Sequence, residues 1–148
     1  MRRCNWIWGL ASFIAWGHAA AFELVTPQEM RASEAATAVY WPKSNVSPEA
    51  PRIELIRPNL ATPVNSPTSI DLRFRAAPGS QIRPESFRVL YGRLRVDITQ
   101  RVVQNTQISS EGLSVSEASL PKGQHRLLLS IEDTQNRTGQ SQLDLHIQ

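Results

Sequence analysis

The sequence predicts an all-β protein: one two-sheet sandwich of about seven short strands, occupying residues 51–148. Three observations carry that expectation. From Pro51 onward apolar residues recur every second position, the period of a strand with one buried face. Turn residues punctuate the alternation, most clearly Pro78-Gly79, Gly92 and Pro121-Lys122-Gly123. Finally, the stretch from Leu120 to Gly139 reads as turn, long strand, acidic polar turn and the start of a last strand. That is the closing hairpin of a sandwich.

Taken in order, Arg52–Arg57 forms the first strand, and Pro58 ends it. Ile70, Leu72 and Phe74 alternate with Asp71, Arg73 and Arg75, a half-buried strand. Ile82–Phe87 leads into a strand at Phe87–Tyr91, and Leu94, Val96 and Ile98 continue the alternation beyond Gly92. Val102–Ser110 is weakly patterned, a short strand or a loop. Leu113 and Val115 mark a short strand, His125–Ile131 a longer one, and Leu143, Leu145 and Ile147 face inward on the last. Helical periodicity is not evident in this part of the chain. Short strands that each offer one apolar face suit two packed sheets.

Residues 1–21 have the organisation of a signal peptide. Arg2 and Arg3 precede an apolar run, Trp6–Trp16, and Ala19-Ala20-Ala21 places cleavage before Phe22. Eleven apolar residues rise only about 16 Å as a helix, roughly half a bilayer core, so no membrane span is expected after processing. The expected location is the periplasm or the exterior. Cys4, the single cysteine, leaves with the leader, so the mature core must hold by burial without disulfides.

Residues 22–50 read as a tether. Thr26-Pro27-Gln28-Glu29 has the form of a capping box with proline in the first turn, opening a helix to about Ala38. Such a helix is marginal alone in water. Pro42, Pro48 and Pro51 keep the rest of the tether extended or irregular.

The formal charge of +3 is misleading. Without Arg2 and Arg3, 14 basic residues face 13 acidic ones, which gives no general case for nucleic acid as a partner. Residues 52–101 nevertheless hold nine arginines against four acids. If their strands were neighbours, Arg73, Arg75, Arg93 and Arg95 would form one face suited to carboxylate or phosphate. The bland alternatives are a solvated face that discourages edge pairing, or neutralisation by the acidic N-terminal segment. Trp41, beside Tyr40 and Pro42, is the one aromatic spot outside the strand pattern. It either contacts a ligand or docks the tether on the sandwich.

No residue set specifies a reaction. There is no Gly-x-Ser-x-Gly, no His-Glu-x-x-His and no phosphate-cradling glycine loop. Serine is plentiful, but abundance is not activation. His125 and His146 stand on different strands without metal-ligand spacing, so they read as structural. Glu132-Asp133-Thr134-Gln135-Asn136 falls short of the oxygens calcium requires, and Asp133 is expected to bond amides in its own turn. The expectation is therefore a non-enzyme with no cofactor and no metal.

Pro51–Pro58, Ser66–Phe74, Ile82–Phe87 and Leu120–His125, with Asp133 and Arg137–Gly139, resemble the bacterial immunoglobulin-like domains of exported and cell-surface proteins. The whole is similar to small signal-bearing proteobacterial proteins built on such a domain. The resemblance covers 51–148 and implies a binding, spacer or assembly role in the envelope. It supplies no catalytic residue. The paired cysteines and core tryptophan of antibody domains are missing here. Together these readings point to a protein-interaction or assembly module with an envelope protein as partner. The second expectation is a binder of an anionic envelope polymer through the arginine face.

Overall fold

Alternation produces the inner layer of both sheets. The computed structural model describes residues 21–37 and 47–148. In β3 (Thr68–Arg75), Ile70, Leu72 and Phe74 are buried while Arg73 and Arg75 are exposed, as the period of two requires. β4 (Ile82–Tyr91), β7 (Gly123–Asp133) and β8 (Thr138–Ile147) bury alternate residues in the same way. β1 (Phe22–Glu23), β2 (Arg52–Arg57), β5 (Val96–Asp97) and β6 (Gly112–Ser119) complete two four-stranded sheets. The first has order β1-β6-β3-β2 and the second β5-β4-β7-β8. The protein is thus an all-β sandwich with two short helices, α1 (Pro27–Ala35) and α2 (Thr99–Asn105).

Phe74 of the first sheet and Phe87 of the second meet with ring centroids 5.6 Å apart, marking the middle of the shared core. Each buried Leu, Ile, Val or Phe contributes about 1.5–3 kcal/mol, enough to stabilise sheets without a disulfide. Among the described residues no helix is long and apolar enough to cross a membrane.

Three expectations need correction. First, the boundary at residue 51 is misplaced. Phe22 and Glu23 pair in parallel with Ala118 and Ser119 of β6, and Leu24 and Val25 are buried in the core. The N-terminal segment is a built-in part of the sandwich, because two apolar residues in a row gave no period to read. Helix α1 does start at its capping box, where the Thr26 hydroxyl accepts from the Glu29 amide at 3.2 Å. It stops at Ala35, short of Ala38.

Second, the weak region is neither strand nor loop throughout: Thr99–Asn105 is helix. Ile98 and Val102, four residues apart, are both buried and dock it on the core. The Thr99 hydroxyl accepts from the buried Val89 amide at 2.9 Å, tying α2 to β4. That i, i+4 pair was the available signal, masked because Ile98 also continues a strand alternation. Third, only Val96 and Asp97 of the strand expected after Gly92 pair in the sheet, and Leu94 is exposed.

The signal-peptide residues 1–20 and the Tyr40-Trp41-Pro42 spot lie outside the described residues.

Candidate functional site

The structure divides the four arginines between two sheets. Arg73 and Arg75 lie on β3 in the first; Arg93 and Arg95 occupy the turn between β4 and β5 in the second. They do not form one face. Residue spacing predicts the local alternation of β3 correctly, but neighbourhood between strands is a long-range property. Arg95 moreover takes a left-handed backbone (φ 52°) in the turn instead of a strand conformation.

Arg93 has a structural task. Its guanidinium donates to the carbonyls of Glu34 and Ala36 at 3.2 and 3.1 Å, and its amide donates to the Ser33 hydroxyl at 2.9 Å. It holds the C-terminal end of α1 through backbone carbonyls. Two glycines make the seat. A Cβ on Gly92 would overlap the Ser33 side chain, and one on Gly123 would overlap the Met30 methyl. Both glycines also have positive φ, 65° and 132°, which favours glycine independently. At the other end of α1, Arg101 of α2 grips both oxygens of Glu29, at 2.7 and 2.6 Å.

Docking of α1 creates a cleft of about 420 Å³ at the end of the second sheet, a size suited to a small molecule or a peptide side-chain cluster. Met30 and Glu34 form one wall, with Arg93 beside them; Arg126 and Asp144, paired at 2.7 Å across β7 and β8, form the other. Leu60 reaches the rim because the loop after it adds to the β8 edge. There Val64 donates to the His146 carbonyl at 2.7 Å and accepts from the Gln148 amide at 3.1 Å.

A buried polar pair lies at the floor. The Tyr91 hydroxyl is 2.9 Å from His125 Nδ1, and His125 Nε2 is 2.7 Å from the Pro121 carbonyl. A carbonyl oxygen only accepts, so Nε2 carries the proton and Nδ1 accepts from the Tyr91 hydroxyl in the neutral ring. Burial pushes the His125 imidazole below its ordinary range, partly offset by the Pro121 carbonyl and the charge of Glu34. Burial, with the negative charges of Glu34 and Glu29, raises the Tyr91 phenol to about 12. At neutral pH the Tyr91 phenol therefore keeps its proton. His146 lies on the adjacent strand, its register one residue from His125, but alternation turns it outward. Among the described residues no three His, Cys, Asp or Glu side chains converge as a metal site.

Neutral His125 has a measurable consequence. Its pKa is lower folded than unfolded, so acid favours unfolding: stability is full above about pH 6.5 and falls as pH drops below that. Thermal melts from pH 7.5 to 5 should show this loss, and His125→Gln should flatten the slope. An equally steep slope in the variant would place the proton uptake elsewhere.

The fold and cleft together define a two-sheet sandwich protein with a helix-walled recess. No family model, curated protein or solved structure matches the chain.

Proposed function

We propose that the protein is an exported, non-enzymatic module of the immunoglobulin-like type that binds an envelope protein through the cleft beside α1. The observation that carries the reading is the recess itself. A rigid sandwich end and a clamped helix frame it, and its walls combine carboxylates, guanidinium groups and the apolar Met30 and Leu60. Mixed walls of this kind suit side chains of a partner protein more than one uniform charge does.

Strand order supports the immunoglobulin-like assignment. β2, β3 and β6 are adjacent in one sheet while β4, β7 and β8 are adjacent in the other. That is the division of A, B and E from C, F and G in such domains. β5 stands beyond β4, where C′ lies, while β1 sits beyond β6 at the place of D but pairs in parallel and precedes the other strands in the chain. Export is supported by the sequence of residues 1–21. Amino-terminal sequencing of the envelope fraction should begin at Phe22; a full-length product in the cytosol would remove the export reading.

A photo-crosslinking residue placed at Leu60 or Gln124 in the intact chain tests the cleft. One adduct of constant mass should form from both positions, disappear with Glu34→Lys, and be missing from a crosslinker at Gln107. Adducts of the same pattern from all three positions, or none from the cleft, overturn the reading.

A further inference from the structure

The first sheet carries an arginine array that the spacing of residues did not bring forward. β2 and β3 pair with Arg52 opposite Arg75, Glu54 opposite Arg73, and Arg57 opposite Asp71 beyond a bulge. Ile53 and Phe74 point toward the core, so Arg52, Arg73 and Arg75 project from the outer face. Arg52 and Arg75 are directly opposed, with Cβ atoms about 5 Å apart, and like charges so placed repel. One carboxylate answers the three: Glu54 bonds Arg75 at 2.7 Å. Arg57 is already occupied by Asp71, which also accepts from the Ser114 hydroxyl. Arg52 and Arg73 have no carboxylate partner among the described residues. On its other side Arg73, which is exposed, faces Gly112 of β6, which presents no side chain.

We propose that this β2–β3 face, through Arg52, Arg73 and Arg75, binds a linear polymer bearing repeated carboxylates. Arg73 and Arg75 are about 7 Å apart along the strand, and Arg52 lies across from Arg75. A single small anion reaches only one or two of these groups, whereas an extended chain of charges meets all three. Carboxylate is the favoured anion because the array already holds two in this geometry, Glu54 and Asp71, each against a guanidinium nitrogen. The site lies on a different sheet from the cleft and does not depend on it.

Binding of the processed chain, Phe22–Gln148, to polygalacturonate is the test, with dextran and polyphosphate as comparators. Polygalacturonate should bind at low salt, weaken roughly tenfold between 50 and 200 mM salt, and outcompete polyphosphate. Arg52→Gln with Arg73→Gln should weaken binding by roughly tenfold, while Arg31→Gln with Lys122→Gln, which removes the same charge elsewhere, should leave it within about twofold. All four positions are exposed, so circular dichroism should show each double variant folded. Equal loss in both pairs, no loss in the first, no binding by the native chain, or preference for polyphosphate would each overturn the proposal.

Discussion

Asp133→Ala is expected to cost about 4 kcal/mol of unfolding free energy, a large share of the stability of a domain this size. Asp133 is 0 % exposed, at the end of β7 where the turn to β8 begins. One carboxylate oxygen accepts from the amides of Gln135 and Arg137 at 2.9 and 3.0 Å, and the other from Arg137 Nε at 2.8 Å. Burial alone would raise this carboxyl, but the Arg137 and Gln135 bonds outweigh it and hold it below the ordinary range. Alanine removes the acceptor and leaves two amides and a largely buried guanidinium without it. Asp133→Asn keeps one acceptor and should cost about half as much. Urea titration with both variants measures the ratio. Near-equal losses would mean that shape, not charge, holds the turn. Because the folded pKa is depressed, Asp133 stabilises the protein above its unfolded value near 3.8 and ceases to do so as pH falls below it.

Glu29→Gln should release the N-terminal arm. Glu29 caps its own helix and receives the Arg101 guanidinium on both oxygens. The Arg101 bonds, foremost, lower its pKa from 4.5 to about 2, against opposition from burial. That stabilisation is present above pH 4.5 and disappears as pH falls toward 2. With Arg101 35 % exposed and solvent screening allowed for, the loss in the variant is about 2 kcal/mol. Hydrogen exchange locates it: amides of Leu24 and of α1 should exchange faster, while those of β7 and β8 keep their protection. Uniform loss of protection would show that the arm and the sandwich unfold as one unit. Since α1 walls the cleft, Glu29→Gln should also reduce crosslinking from Gln124. The acid response of His125 begins as pH falls below about 6.5, and that of Glu29 begins only below 4.5.

The legible parts of this protein are those set by near neighbours in the chain. Ile70, Leu72 and Phe74 show their buried face in their spacing, and Thr26 with Glu29 shows a helix start within four residues. Asp133 could be read as a turn residue because its amide partners lie two and four positions away. Helix α2 is misread from spacing because Ile98 and Val102 satisfy two periods at once, and contact with β4 selects one. The candidate cleft was not legible. His125 and Tyr91 stand 34 positions apart, and Ser33 lies 60 from the Arg93 amide it receives.

Sequence by itself determined which residues alternate, which ones turn, and where the first helix begins, since each depends on the conformation of a few consecutive residues. Tertiary structure decided which strands share a sheet, and so moved Arg93 and Arg95 away from Arg73 and Arg75. It set Arg52 against Arg75 and drew Leu24 and Val25 into the core. Side chains far apart in the chain acquire neighbours only when burial of both sheets selects one pairing of strands, and that selection is a property of the whole packed molecule.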